Sequence, residues 1–214
     1  MTEENYIISD YCIIRNNRII LNGEVVYTGN ESSPVEFFTA SYRHFNISYA
    51  KFFKMDNLCK LGFLASELLL RGKNISETYP GEEVGILLSN AGSSIDTDRN
   101  HQKSISKRDE YFPSPSVFVY TLANIVIGEI CIRHKLFGES FFMIEKEFNA
   151  TRLYEQVKQW LDEGIVRCCI TGWVEMDDQR YEAVMYFIQK TSVLQDGIAI
   201  FGPEKLTEIY LPGK

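Results

Sequence analysis

The spacing of hydrophobic and polar residues changes along the chain, and each change predicts the next strand or helix. Residues 6–28 form short apolar segments separated by Asn16-Asn17 and by Asn22-Gly23. Because Asn and Gly tolerate positive φ, both pairs suit tight hairpin turns. We therefore predict short strands joined by tight turns in residues 6–28, followed by irregular structure over residues 29–50.

Apolar residues at helical spacing predict a first helix over residues 56–71. Asp56 is placed to cap this helix and Gly72 to end it. The residues that share its apolar face are Leu58, Leu61, Ala65, Leu68 and Leu69. The segment therefore predicts an amphipathic helix packed on the core.

A second helix is predicted over residues 113–136, with Ser114 as its cap and Pro115 in its first turn. The segment is apolar on nearly every side as far as Ile132. A helix of this kind is buried on all sides, either within its domain or against another subunit. Gly128 would permit close packing, at a cost of about 1 kcal/mol in helix propensity relative to Ala.

The C-terminal half predicts an apolar strand over residues 140–146 and then an amphipathic helix that Gly164 ends. The helix would bury Leu153, Val157, Trp160 and Leu161. Further strands are predicted at residues 82–89, 165–176, 180–190 and 197–202, and a final helical turn at 203–210. The polar run at residues 90–111 predicts a long loop. Alternation of strands and helices favours one layered α/β domain.

Length and charge restrict the class of protein. A chain of 214 residues suits a single domain with one sizeable core. Its formal net charge of −7 disfavours nucleic acid as a partner, and we interpret the basic residues Lys103, Lys107 and Arg108 as a solvated loop. No apolar run approaches the roughly 18 residues of a membrane span. The N-terminus lacks the layout of a signal peptide, so we expect a cytoplasmic protein.

The five cysteines each lie in an apolar run, and none belongs to a CxxC pair. They are Cys12, Cys59, Cys131, Cys168 and Cys169. Buried, reduced thiols are the reading that fits this placement. We predict neither a metal site nor a bound cofactor.

Four blocks of sequence, in order, resemble the N-terminal half of β-ketoacyl synthases, the condensing enzymes of the thiolase-like fold. The blocks are "KMDNLCKLGFLASELLL", "EVGILLSNAG", "SPSVFVYTLANIVIGEICIRHKLFGES" and "GIVRCCITGWVE". The resemblance covers roughly residues 50–176 and leaves residues 177–214 unmatched. It implies an α/β fold, a layered thiolase-like half-domain with a mixed sheet flanked by helices. On this basis residues 1–214 form a single domain, in which the unmatched tail caps the half-fold.

The resemblance also assigns a position to the family's nucleophile. In that family a strand ends at a cysteine at the N-terminus of a buried helix, and a later strand ends in a small-residue turn followed by Glu. Gly138 resembles the glycine before the nucleophile strand, and Gly164 resembles the glycine that closes the nucleophile helix. Gly172 and Glu175 resemble the small-residue turn and its acid. These anchors need no gap between them, and they place the cysteine position at Glu147.

The departures from the family pattern concern catalysis. No cysteine lies within ten residues of Glu147, and the three histidines, His44, His101 and His134, all precede it. The family's two catalytic histidines follow the nucleophile and belong to the C-terminal half, and this chain stops where that half would begin. Decarboxylative condensation needs a thiolate to carry the acyl group and histidine donors for the developing charge. The resemblance therefore implies a catalytically inactive relative.

Chain-length factors are the closest precedent, since they resemble a ketosynthase, lack the nucleophile and form a heterodimer with an active one. The first hypothesis is such an accessory protein in fatty-acid or polyketide biosynthesis of the aryl-polyene type. Its partners would be an active ketosynthase, or a second copy of the chain, and an acyl carrier protein. A second hypothesis is an acyl-thioester decarboxylase or hydrolase that uses Glu147. A third is a self-associating structural protein that has left acyl chemistry.

The candidate site is therefore the junction that precedes the helix after residues 140–146. It consists of the degenerate nucleophile position Glu147 and its neighbours Lys146, Phe148 and Asn149. A purely structural role is also open, because a carboxylate at a helix N-terminus faces free N–H groups, and Asn149 is placed to cap the helix. Glu145, Lys146 and Glu147 can also pair with each other or with solvent.

Overall fold

The computed structural model describes residues 6–73, 75–106, 114–190 and 198–211, and within them eight strands form one mixed sheet. The strands are β1 (Tyr6–Arg15), β2 (Arg18–Leu21), β3 (Glu24–Thr28), β4 (Val84–Asn90), β5 (Ser140–Ile144), β6 (Cys168–Asp177), β7 (Arg180–Lys190) and β8 (Ala199–Ile200). Their order is β3-β2-β1-β7-β6-β4-β5, and β8 pairs with β1.

Helices lie on both faces of this sheet, which confirms the predicted α/β architecture. They are α1 (Pro34–His44), α2 (Asn57–Leu69), α3 (Ile75–Thr78), α4 (Ile95–Ile105), α5 (Pro115–Val119), α6 (Ile125–His134), α7 (Ala150–Asp162) and α8 (Pro203–Tyr210), with 3-10 turns at Ala50–Lys54 and Gly81–Glu83. None of the helices in the described segments combines the length and the apolar character that a bilayer crossing requires.

Two hydrophobic cores separate the helices into two layers. Helices α1, α2 and α6 pack on one face, where their core contains Phe37, Phe63, Leu64, Val126 and Ile130. Helices α7 and α8 pack on the other face, where the core contains Leu153, Val157, Trp160, Leu206 and Ile209. The face predicted for the helix after β5 is therefore confirmed, and α8 belongs to the same layer.

The predicted turns of the N-terminal strands are confirmed by their backbone angles. Asn16 and Asn17 have φ values of 50° and 54°, and Asn22 and Gly23 have 51° and 93°. Each pair has positive φ at both positions, as a type I′ hairpin turn requires. These turns place β1, β2 and β3 side by side in antiparallel register.

Irregular structure over residues 29–50 is a wrong prediction, because α1 occupies part of that segment. The Ser33 side chain accepts a hydrogen bond from the N–H of Glu36 at 3.4 Å, and Pro34 is the first helical residue. Ser-Pro followed by Glu is an N-terminal helix signal that the pattern of apolar residues hides.

The long loop at residues 90–111 is also a wrong prediction where α4 forms. This helix buries only Thr97, so its sequence lacks an apolar stripe. It is fixed instead by hydrogen bonds to the start of α2: Thr97 Oγ1 donates to Asp56 at 2.6 Å, and Asn57 donates to Asp96 at 2.9 Å. Of the basic residues assigned to this loop, Lys103 is exposed on α4, and Lys107 and Arg108 lie outside the described residues.

The helix predicted over residues 113–136 is divided into α5 and α6. Between them, the carbonyl of Thr121 accepts a hydrogen bond from the Ser94 hydroxyl at 2.8 Å and is thereby held outside a helical ladder. The expectation of burial on every side is wrong as well. Large apolar side chains of this segment that are more than half exposed are Phe118, Val119, Leu122 and Ile132.

The close helix contact occurs at a different glycine from the one predicted. A Cβ at Gly62 of α2 would overlap the Val126 side chain of α6, whereas a Cβ at Gly128 would meet open space. Gly62 therefore sets the distance between α2 and α6, and the packing role predicted for Gly128 is wrong.

Candidate functional site at the β5–α7 junction

The parallel strands bring the candidate junction to one edge of the sheet. β4 pairs in parallel with both β5 and β6, so all three carboxyl ends lie together. The backbone N–H of Glu145 donates to the carbonyl of Asn90 at 2.9 Å, which continues the β4–β5 ladder into the junction. In α/β folds this carboxyl edge is where ligands usually bind.

Asn149 is the N-cap of α7, as its position predicts. Its side-chain oxygen accepts the N–H of Arg152 at 3.1 Å. Glu147, which the resemblance matches to the nucleophile position, is exposed and lies two residues before this cap, and Lys146 is exposed too. Glu145 forms an ion pair with Arg152 at 3.6 Å. The carboxylate of Glu147 therefore faces solvent rather than the first turn's cap position.

Phe148 is held by aromatic contacts that the sequence does not reveal. Its ring stacks on Tyr210 of α8, with centroids 4.1 Å apart and an interplanar angle of 14°. It also meets Trp173 of β6 edge-on at 6.4 Å. The C-terminal tail thus covers the residue that follows Glu147.

The three glycines used to align the chain with the family, Gly138, Gly164 and Gly172, each occupy a position that disfavours a side chain. A Cβ at Gly138 would overlap the carbonyl oxygen of Val84, and one at Gly172 would overlap that of Val184. Gly164 has a φ of 67° at the end of α7. At these three positions a side chain would meet neighbouring backbone or force a left-handed conformation.

Glu175 joins the ends of β4 and β6. Its carboxylate accepts hydrogen bonds from the N–H of Ala91 at 2.6 Å and of Gly92 at 3.2 Å. Two backbone N–H groups therefore donate to one charged acceptor. Hydrogen bonds to a charged acceptor are stronger than those between neutral groups. The acid matched to the family's turn is a clamp on the loop after β4.

A cleft of about 890 Å³ opens beside this clamp. Its lining consists of Arg15, Asn16, Asn17, Ala91, Gly92, Ile95, Glu175, Asp177, Gln179, Arg180, Tyr181 and Glu182. Its charged groups pair with each other: Arg180 bonds Asp177 at 3.0 Å, and Arg15 forms an ion pair with Glu182 at 3.8 Å. Glu147 is not among the lining residues.

The thiols offer no replacement for the missing nucleophile near neutral pH. Cys12, Cys59, Cys168 and Cys169 are buried and unpaired in the reduced form, and Cys131 is half-buried. Burial raises the pKa of Cys131 to about 11 and that of Cys168 to about 12. The three histidines have Tyr27, Phe118 and Ser66 as neighbours, none of which belongs to the junction.

Helix α7 is exposed along one side, whereas the resemblance implies a buried helix at this position. The exposed residues are Thr151, Arg152, Glu155, Gln159 and Asp162. This polar side faces away from the sheet, because the apolar side packs on it. Helix α7 is therefore the amphipathic helix that the sequence predicts, and it differs from the buried helix of the family.

Strand β5 forms one end of the sheet and has an apolar surface. Its Phe141 and Ile144 side chains are 49% and 54% exposed. Other exposed apolar residues that precede β5 in the chain are Phe118, Val119, Leu122, Ile132 and Phe137. β3, at the opposite end, begins with a glutamate and has an irregular register with β2, two devices that protect an edge from further pairing. β5 lacks both devices within its five residues.

Comparison with known proteins identifies structures of the same fold but no relative by sequence. No protein-family model and no curated protein matches the chain. The ishigamide ketosynthase/chain length factor superposes with a TM-score of 0.67 at 12% identity, covering 92% of this chain and 65% of the other. A type II polyketide synthase acyl-carrier protein in complex with its hexaketide-bound ketosynthase gives 0.62 at 10% identity, covering 88% and 63%.

A third structure contains a ketosynthase in complex with its chain length factor from Xenorhabdus doucetiae. It gives a TM-score of 0.51 at 12% identity and covers 88% of this chain and 80% of the other. The chain spans slightly less than two thirds of the length of the first two structures. The eight-stranded mixed sheet with helices on both faces has the thiolase-like fold of ketosynthases and chain length factors.

Proposed function

We propose that this chain is a non-catalytic, ketosynthase-like accessory subunit that pairs with an active ketosynthase through the β5 edge. In the resemblance to ketosynthases, the nucleophile strand and helix lie next to the dimer axis. β5 and α7 occupy those positions here. The observation that carries the proposal is an apolar strand at the end of the sheet, which exposes Phe141 and Ile144.

The chemistry of the junction supports a role without condensation. The resemblance matches Glu147 to the nucleophile position, and its side chain is exposed. A carboxylate attacking a thioester would give an anhydride that water hydrolyses readily. The cysteine thiols are protonated at neutral pH because burial raises their pKa. Carbon–carbon bond formation would then be carried out by the partner's nucleophile.

The proposed context is a fatty-acid or polyketide pathway, with an aryl-polyene-type system as the narrower form and an acyl carrier protein as a further partner. Structures of the same fold contain a chain length factor with its ketosynthase and a carrier protein with its ketosynthase. The proposed domain is a single half-fold over residues 1–214.

Co-expression tests the proposal directly. The chain is produced with a cysteine-containing ketosynthase encoded in the same genome, and the purified mixture is measured by size-exclusion chromatography with light scattering. We expect a one-to-one complex. A chain that stays separate from each ketosynthase of that genome contradicts the proposal.

The alternative of an enzyme acting through Glu147 has its own test. The chain alone is incubated with malonyl and acyl thioesters, and free thiol and carbon dioxide are measured. We expect neither to be released above the uncatalysed rate. Release that Glu147→Gln abolishes would establish the decarboxylase or hydrolase instead.

A further inference from the structure

We infer that Glu139 and Glu145 at the two ends of β5 select the partner strand, disfavouring a second copy of this chain and favouring a strand with basic residues opposite them. The inference rests on the proposed function, because it takes the β5 edge as the interface. It adds the chemistry of the partner: a ketosynthase strand that carries Lys or Arg at those two positions.

The backbone shows which residues of β5 face a partner. The N–H of Ile86 donates to the carbonyl of Glu139, and the N–H of Glu145 donates to that of Asn90, both at 2.9 Å. The odd-numbered residues of this segment therefore direct their backbone groups towards β4. Because these groups alternate sides along a strand, Ser140, Phe142 and Ile144 direct theirs away from the sheet.

A second copy of β5 would pair antiparallel about a two-fold axis. Full overlap of the five residues places Phe142 opposite itself and Ser140 opposite Ile144. In that register Glu139 of each copy lies directly opposite Glu145 of the other. These are non-hydrogen-bonded positions, where Cα atoms are about 4.5 Å apart and side chains are closest. Two like-charge pairs therefore form for every self-pairing, and each is destabilising.

The charged neighbours do not remove this repulsion. Glu145 is paired with Arg152 at 3.6 Å, but that arginine is on the exposed side of α7 and its side chain is largely in solvent. Lys146 lies in the bend after β5 and is exposed.

A partner strand with basic residues at the matching positions converts the same geometry into two attractive pairs. Specific interfaces commonly combine an apolar contact surface with charges that exclude the wrong partner. In β5 the apolar contact comes from Phe141 and Ile144, and the two flanking glutamates supply the exclusion. Self-association, the third hypothesis from the sequence, is the state that this charge pattern opposes.

A charge reversal tests the inference without any ketosynthase. Glu139→Lys turns both like-charge pairs of the self-paired strand into Lys–Glu pairs. We expect the self-association constant to rise roughly tenfold to a hundredfold, since two pairs change sign. The matched control is Glu155→Lys, which makes the same charge change on the exposed side of α7. Circular dichroism and thermal unfolding establish that both variants are folded.

Hydrogen exchange of the Phe142 and Ile144 amides, measured against protein concentration, reports on the strand itself. We expect concentration-dependent protection in Glu139→Lys and none in the wild type or in Glu155→Lys. Protection in the wild type, or its absence in Glu139→Lys, overturns the inference. Failure of the wild type to bind a ketosynthase is a separate result, which counts against the proposed function alone.

Discussion

Glu147 and Asn149 are two residues apart, yet they have different roles in the structure. Asn149 caps α7 through the N–H of Arg152, whereas Glu147 is exposed. We expect Asn149→Ala to lower the free energy of unfolding by about 1 kcal/mol, because an N-cap is lost. Glu147→Gln should change it by less than about 0.5 kcal/mol, as for other surface positions. Urea unfolding of both variants measures the difference, and equal losses would assign Glu147 a structural role.

Glu175 offers a second test at the residue scale, because two backbone donors depend on its carboxylate. We expect Glu175→Ala to cost about 1 kcal/mol, because water can replace the carboxylate at the exposed Ala91 N–H but less readily at the half-buried Gly92. Glu175→Gln keeps one acceptor oxygen and should cost less. Faster hydrogen exchange at Ala91 and Gly92 should accompany the loss. Unchanged exchange at these amides would show that Glu175 is not a clamp.

The cysteines provide a pH-dependent test of the claim that no reactive thiol replaces the nucleophile. Only the thiolate reacts with iodoacetamide, and a pKa of about 11 leaves Cys131 protonated at neutral pH. We expect native Cys131 to react at pH 8 roughly two orders of magnitude more slowly than an ordinary thiol of pKa about 8.5. Its rate should rise tenfold per pH unit towards its pKa. Rapid labelling of any native cysteine, measured by mass spectrometry, contradicts this.

Some residues of the site could be predicted from sequence, and others could not. The cap at Asn149 and the glycine that ends α7 are local, because a helix end is decided by the residues next to it. The stacking of Phe148 on Tyr210 and the Glu175 clamp depend on segments far apart in the chain. Contacts of that kind follow from the fold, and no short sequence motif predicts them.

At the scale of elements, the predictions succeed where a helix or strand is stabilised by its own apolar side chains. α2, α7 and the central strands are of this type. α4 is missed because polar contacts with Asp56 and Asn57 hold it, not an apolar stripe. α5 and α6 are merged because the bond between Ser94 and the Thr121 carbonyl, which interrupts the helix, comes from another part of the chain.

The packing of α2 on α6 gives a prediction with a matched pair of glycines. Gly62→Ala should lower stability by about 1–3 kcal/mol, because the added methyl would overlap Val126 in a filled core. Gly128→Ala should raise it by about 0.5–1 kcal/mol, since its Cβ meets open space and Ala is the better helix former. Thermal unfolding of the isolated chain measures both, and effects of the same sign would contradict this packing.

At the scale of the molecule, the sheet has two unlike ends and two unlike faces. One end is β3, which has an irregular register with β2, and the other presents apolar β5 with a glutamate on either side. One face is covered by α1, α2 and α6, and the other by α7 together with the C-terminal α8. The sequence predicts the layers, because they follow from alternating strands and helices. It does not predict which edge is free, because strand order is a property of the whole fold.

The free edge leads to the measurement that tests the central claim most directly. Sedimentation velocity is recorded for mixtures of a same-genome ketosynthase with the wild type, with Ile144→Asp and with Ile165→Asp. Both isoleucines are about half exposed, so both variants should fold, but only Ile144 lies on β5. We expect the wild type and Ile165→Asp to form a one-to-one complex and Ile144→Asp to bind at least tenfold more weakly. Equal binding by the two variants, or no complex with the wild type, would contradict pairing through β5.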